Sequence, residues 1–351
     1  MIKSEEKREA WIDCLKVICA FLIVLQHSLA SAWLQPDMYG PGWTVVNAVM
    51  TLAKEGVPLF FMCSGYGMLR RKREPSECVK AAARLLIVYV MWMGVYGTAS
   101  ACEQAFAGAP VKAIAGAFVK KILFGHYHVW FIFVLMGLYL LTPILYPVMQ
   151  DRKSAVYVMI LSFIATIILP VVREAAFFDR FEYTILSFDI SSLAGNIFYY
   201  LFGYGLGTYF SVDDESKKRK TGAILTVCCM ILFICINMAT VYYDRIHEEI
   251  SGRFFDDKGI TGCLFVCLIF LTFKMCVNPS DAKGIWKRLS VLGFPIYLLH
   301  PLLLNIFPGY PDSDVSDMMA GLVIYLICLI VSILLFRFRY TRILFVTGRK
   351  E

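Results

Sequence analysis

Lys16 and His27 stand eleven positions apart inside CLKVICAFLIVLQHSLASAW, a stretch otherwise apolar enough to cross a bilayer. Eleven steps of about 100° make close to three turns, so a helix here carries both side chains on one face, about 16 Å apart. That is roughly half the hydrocarbon thickness. Ionisable groups at membrane depth are costly and read as functional by default. A cation near one surface and an imidazole near mid-membrane would grip a long ligand at two points. A neutral imidazole is also the form a general base needs to take a proton from a hydroxyl. Plainer readings exist for both residues: a histidine that glues two helices, and a lysine that snorkels while paired with Asp13 at i,i+3.

Other polar residues sit where chemistry could use them. KEGVPLFFMCSGYGMLRRKR places Ser64 within an apolar run broken by Gly56, Pro58, Gly65 and Gly67. Ser64 could line a cavity or bond back to its own helix. The Arg70-Arg71-Lys72-Arg73 cluster follows at a membrane edge and could hold a lipid headgroup or a nucleotide phosphate. Arg84 precedes the next apolar run and wants a phosphate or carboxylate partner. In GHYHVWFIFVLMGLYLLTP, His126, His128 and Trp130 open a span. Trp130 and Tyr127 read most simply as an interfacial aromatic belt. No third ligand stands at helical spacing from the His126–His128 pair, so no metal is expected. In RLSVLGFPIYLLHPLLL, His300 comes to a depth like that of His27. It either joins a site there or satisfies the carbonyls that Pro301 leaves unbonded.

The elements that must position these residues are membrane helices. Of 351 residues, 59% are hydrophobic and only 17% charged, against about a quarter charged in a soluble domain. Mean hydropathy is +0.65. The expected fold is all-α, a single polytopic bundle over 1–351, with about ten spans near 13–33, 47–69, 82–102, 128–149, 154–172, 192–210, 221–241, 260–277, 289–307 and 318–338. The stretch 103–127 reads as an interfacial or re-entrant piece. Basic clusters at 70–73, 152–153, 217–220 and 287–288, with Arg337, Arg339, Arg342, Arg349 and Lys350, put both termini in the cytoplasm. The same asymmetry accounts for the net charge of +7, so no nucleic-acid partner is implied. The first apolar run lacks a cleavage site and reads as a retained span. Nearly all twelve cysteines fall in spans, with no CxxC, and read as small apolar residues.

Five segments in order, REAWIDCLKVICAFLIVLQH, GVPLFFMCSGYGML, HVWFIFVLMGLYLLTPIL, IFYYLFGYGLG and LSVLGFPIYLLHPLLL, resemble the acyltransferase 3 family of integral membrane acyltransferases, from about residue 8 to 338. The family's first span carries a basic residue, ten arbitrary residues, then histidine, as Lys16 to His27 does. The resemblance implies that His27 is catalytic and that Lys16 helps hold an acyl-CoA. It assigns CoA phosphates to Arg84 and, less directly, to Arg70, Arg71 and Arg73. The implied reaction moves an acyl group, acetyl or else succinyl, from cytoplasmic acetyl-CoA or its relative to an extracytoplasmic sugar or polysaccharide hydroxyl at the plasma membrane. His126, His128, Trp130, Ser64 and His300 are then candidates for the acceptor side. LLIVY after Arg84 departs from the fuller Arg-rich signature followed by proline. The lack of paired glutamates after Trp130 resembles the stand-alone sugar O-acetyltransferase branch, without a fused esterase-like domain. The rival reading is a glycan or acyl-compound exporter whose polar residues line a path.

Overall fold

The computed structural model describes residues 9–34, 40–126, 128–173, 191–277, 284–306 and 314–338. Tyr127, residues 1–8 and the C-terminal Arg339, Arg342, Arg349 and Lys350 lie outside the described residues. The fold is a helical bundle, with no strand among the described residues.

In chain order the helices are α1 (Ala10–Trp33), α2 (Pro41–Ala53), α3 (Gly56–Leu69), α4 (Pro75–Phe106), α5 (Val111–Phe124), α6 (Trp130–Gln150), α7 (Arg152–Phe163) and α8 (Leu169–Arg173). They continue as α9 (Ser191–Tyr209), α10 (Glu215–His247), α11 (Ile260–Cys276), α12 (Ile285–Ile306) and α13 (Asp314–Arg337). Among the described residues, seven helical stretches are long and apolar enough to cross a membrane: 10–33, 42–69, 75–106, 130–150, 152–171, 215–247 and 317–337. Helices α9, α11 and α12 occupy the other three expected spans.

Three departures from the sequence reading have local causes. The second span is two helices, because Pro58 has no N–H to offer the carbonyl of Lys54 and falls instead in the first turn of α3, where none is needed. Helix α4 begins at Pro75, seven residues before the apolar run, since a first-turn proline and the helix formers after it carry the helix into water. At about 48 Å it outruns a bilayer core. Between α7 and α8 the ladder widens to a π-turn at Ile164–Ile168, just before Pro170, which cannot donate to its i−4 carbonyl.

Helix α1 is the hub. Leu15, Cys19, Ala20, Ile23, Val24 and Leu29 are all at most 3% exposed, and α1 packs against α2, α3, α11, α12 and α13. A helix apolar on every side belongs in a bundle's middle. Outward-facing Ile87, Val90, Ile144, Ile224, Met238 and Ile330 are each more than half exposed, as a lipid-facing surface requires. Helix α5 buries none of its residues and lies against α4, where Gly97 lets the Phe118 ring approach. This is the expected amphipathic piece, trimmed to Val111–Phe124.

The glycines of SGYGML and LFGYGLG explain one another. A Cβ on Gly65 would land on the Tyr200 carbonyl, and one on Gly203 on the Met62 carbonyl. Helices α3 and α9 therefore cross backbone to backbone, the small-residue packing that membranes favour. Lys274 fastens the far end of α9, its Nζ donating to the carbonyls of Gly207 (2.7 Å) and Phe210 (2.5 Å).

Candidate active site

Four imidazoles from three parts of the chain meet beside α1. His27 Nδ1 lies 2.8 Å from the Ile23 carbonyl oxygen. A carbonyl only accepts, so Nδ1 carries the proton and the lone pair of a neutral His27 sits on Nε2. His300 Nε2 lies 3.2 Å from the same Nδ1, and the two ring centroids are 5.0 Å apart. With that proton on His27, His300 Nε2 is an acceptor. His300 is wholly buried.

The register of α12 on α1 makes this pair. Gly293 seats α12 against Ala20 and the Lys16 carbonyl, at 3.5 and 3.6 Å from an ideal Cβ. Two turns further along both helices, seven residues from Gly293 and seven from Ala20, stand His300 and His27. Helices packed side by side and running the same way repeat their contacts at that interval.

His126 and His128 join from the connection between α5 and α6. Gly125 ends α5 at φ 72°, a left-handed turn that glycine adopts without strain, and the chain then folds inward. His128 is 2% exposed and His126 9%. Their Nδ1 atoms are 2.9 Å apart, so one donates to the other. The Tyr96 hydroxyl gives its proton to the Leu298 carbonyl at 2.5 Å and lies 3.0 Å from His128 Nε2. Since that proton is spoken for, His128 Nε2–H donates to Tyr96, and the remaining bond runs from His126 Nδ1–H to His128 Nδ1. The Tyr297 hydroxyl donates to the His128 carbonyl, and the His128 ring stands edge-on to His300 with centroids 5.6 Å apart. Burial and the Lys121 ammonium push His126 down to about 4, so it is neutral at physiological pH.

The remaining sequence candidates fall into two groups. Lys16 is half-buried on α1, Arg84 is exposed on α4, and neither makes an ion pair among the described residues; the Asp13 carboxylate accepts instead from Ser290 Oγ at 2.8 Å. The buried Nε of Arg71 has no hydrogen-bond partner among the described residues. These three cations are available to an anionic ligand. Arg70 is not: it pairs with Glu9 at 3.1 Å and lies over the Tyr66 ring, whose hydroxyl also donates to Glu9 at 2.8 Å. Arg73 turns back to the Met68 and Gly67 carbonyls at 3.3 and 3.5 Å, where a cation suits the C-terminus of α3.

Two expectations for the acceptor side change. Ser64 Oγ donates to the Phe60 carbonyl at 2.9 Å, the back-bonded alternative, because an i−4 carbonyl is the nearest acceptor a helical serine can reach. Trp130 is 47% exposed and meets Phe61 and Phe131 rather than the imidazoles; two residues past His128, the start of α6 has already turned it away. Sequence reasoning missed Tyr96, Tyr297 and the Leu298 carbonyl. Tyr297 stands at i−3 from His300, a spacing that put it within view; Tyr96 had no such signal.

Compared with known proteins, residues 9–337 match a family model described as an acyltransferase domain. Proteins of Staphylococcus aureus named "probable poly-beta-1,6-N-acetyl-D-glucosamine export protein" are similar over most of both chains. The one from strain MSSA476 is 21% identical over 316 residues, covering 89% of this chain and 86% of its own. The one from strain MRSA252 is 22% identical over the same extent. No solved structure matches.

Proposed function

The chain belongs to the acyltransferase 3 family, a multi-pass membrane acyltransferase, and from that membership we propose that it O-acylates an extracytoplasmic sugar or polysaccharide at the plasma membrane, drawing on cytoplasmic acyl-CoA. Acetyl-CoA is the donor we favour, with succinyl-CoA as the alternative. The observation that carries this reading is His27, whose proton the Ile23 carbonyl keeps on Nδ1 so that the lone pair of the neutral ring is on Nε2, and which is backed by a buried His300.

The donor's phosphates would sit on Lys16, Arg84 and Arg71 at the cytoplasmic edge. Its extended arm, on the order of 15–20 Å, would reach up α1 to His27. There His27 Nε2 takes the proton of the acceptor hydroxyl as its oxygen attacks the thioester carbonyl. The C–S bond breaks, and the imidazolium returns its proton to the leaving thiolate. His300 Nε2, accepting from Nδ1–H, steadies His27 while it is charged, the part a carboxylate plays in a hydrolase triad. Base help is worth about 10²–10⁴-fold, and positioning supplies much of the rest. His126 and His128 would meet the acceptor from the α5–α6 side.

The relatives' name favours a second reading, export of a glycan without acyl transfer. One experiment separates the two. Purified protein and His27→Ala in nanodiscs are given radiolabelled acetyl-CoA, and CoA binding and label transfer are followed. Binding by both with turnover by the wild type alone supports the enzyme. Absence of binding, repeated with succinyl-CoA, moves the assignment to export.

A further inference from the structure

Glu55 interrupts the second span at mid-helix. It follows α2, precedes the first turn of α3, and is 0% exposed, with both carboxylate oxygens lacking any hydrogen-bond partner among the described residues. The next residue, Gly56, packs so tightly on Cys19, Leu22 and Ile23 that a Cβ would stand 3.1 Å from each. The break is thus pressed against the turn of α1 whose carbonyl holds His27.

The surroundings offer this carboxylate nothing. Lys54, its neighbour in sequence, spends its ammonium on the faces of Trp33 and Phe255, at 5.1 and 5.2 Å from the ring centroids. The groups that face Glu55 from the packed elements are Asp256 and Asp257 on the loop after α10, Cys263 and Cys267 on α11, Cys229 on α10 and Tyr199 on α9. Apart from Lys54 each of them is an acid. The Tyr199 hydroxyl is already given to the Asp257 carbonyl. An ionised carboxylate without donor or counter-ion in such a place is far costlier than a neutral acid. A metal ion would need further ligands, and no group of three metal-binding side chains occurs among the described residues.

We propose that Glu55 is a proton-binding site at a broken membrane helix: it carries its proton in the resting conformation, and losing that proton opens the α2–α3 break. Opening follows because ionised Glu55 can be satisfied only if water or the Lys54 ammonium reaches it, and Lys54 reaches it only by leaving Trp33 and Phe255. Discontinuous helices with an ion site at the break are the devices by which membrane proteins link ion binding to movement. The proposal does not depend on the acyl donor or on transfer.

The test compares wild type with Glu55→Gln, which keeps the shape and removes the titration. Infrared difference spectra in nanodiscs should show a protonated-carboxyl C=O stretch at neutral pH that disappears in Glu55→Gln and is unmoved by sodium, potassium or calcium. Dicyclohexylcarbodiimide, which attacks protonated acids in apolar settings, should label the Glu55 peptide of wild type alone. Hydrogen exchange in residues 50–60 should rise from mildly acidic to alkaline pH beyond its intrinsic dependence in wild type, and not in Glu55→Gln. An absent band, or a band that a cation removes, overturns the proton site. Equal pH dependence of exchange in the two proteins overturns the link to opening.

Discussion

His300→Leu is the substitution that most directly tests how the imidazole cluster works. It removes the acceptor 3.2 Å from His27 Nδ1 and leaves an apolar side chain at a position that is wholly buried. The Ile23 carbonyl at 2.8 Å still fixes the tautomer, so His27 could still act as the base of the proposed reaction. What is lost is one hydrogen bond to a ring that the proposed mechanism charges. Hydrogen bonds to charged groups are worth about 1.5–3 kcal/mol, and each 1.36 kcal/mol is tenfold in rate. The expected result is a kcat lowered about 10- to 100-fold, toward the lower figure because the contact is long, with acyl-CoA affinity unchanged. His300→Gln can place an amide oxygen near the lost nitrogen and should recover part of the rate. The assay is label transfer from acyl-CoA in nanodiscs, with Kd measured separately. Leu at wild-type rate, or Leu and Gln equally impaired, would refute the positioning role and leave His300 a packing residue.

Other expectations follow from the same geometry. Lys16→Ala and Arg84→Ala should each weaken CoA binding about tenfold, as loss of one charge-assisted contact implies; calorimetry showing no change would remove that residue from the donor path. Arg70→Ala should instead leave CoA affinity alone and lower thermal stability, because Arg70 is engaged by Glu9 and Tyr66. Gly203→Ala should abolish folded, monodisperse protein by forcing a methyl into the Met62 carbonyl, whereas Gly94→Ala, with open space around it, should behave as wild type on size exclusion. Burial and the adjacent Asp256 push Asp257 up to about 6. The folded protein therefore holds this proton more tightly than the unfolded chain, and stability is lost as pH rises from the ordinary carboxylate range through about 6. Asp257→Asn should melt higher than wild type at neutral pH, with the difference closing at acidic pH; a difference independent of pH would show that another group governs it.

The sequence by itself determined the class of the molecule and the axis of its candidate site. Hydropathy over windows of about twenty residues is a local property, so the helical membrane fold was legible without coordinates. So was the Lys16–His27 spacing, because one helix fixes its own periodicity. The matching depth of His300 was legible too. That it hydrogen-bonds His27 was not, since the contact depends on Gly293 seating α12 against α1 at Ala20. The same limit explains the other surprises. Arg70 reads as a contact for a lipid headgroup or a nucleotide phosphate until Glu9, sixty-one residues earlier, is brought alongside. His126 and His128 read as interfacial until the turn at Gly125 drives them under Tyr96 and Tyr297. Glu55 stands beside Lys54 in sequence, and only packing turns that lysine toward two aromatic rings and leaves the carboxyl alone. Hydropathy and helical period are properties of neighbours in sequence, whereas the partner of a buried polar group is chosen by whichever helix face packs against it, and that choice is made only when the whole bundle closes.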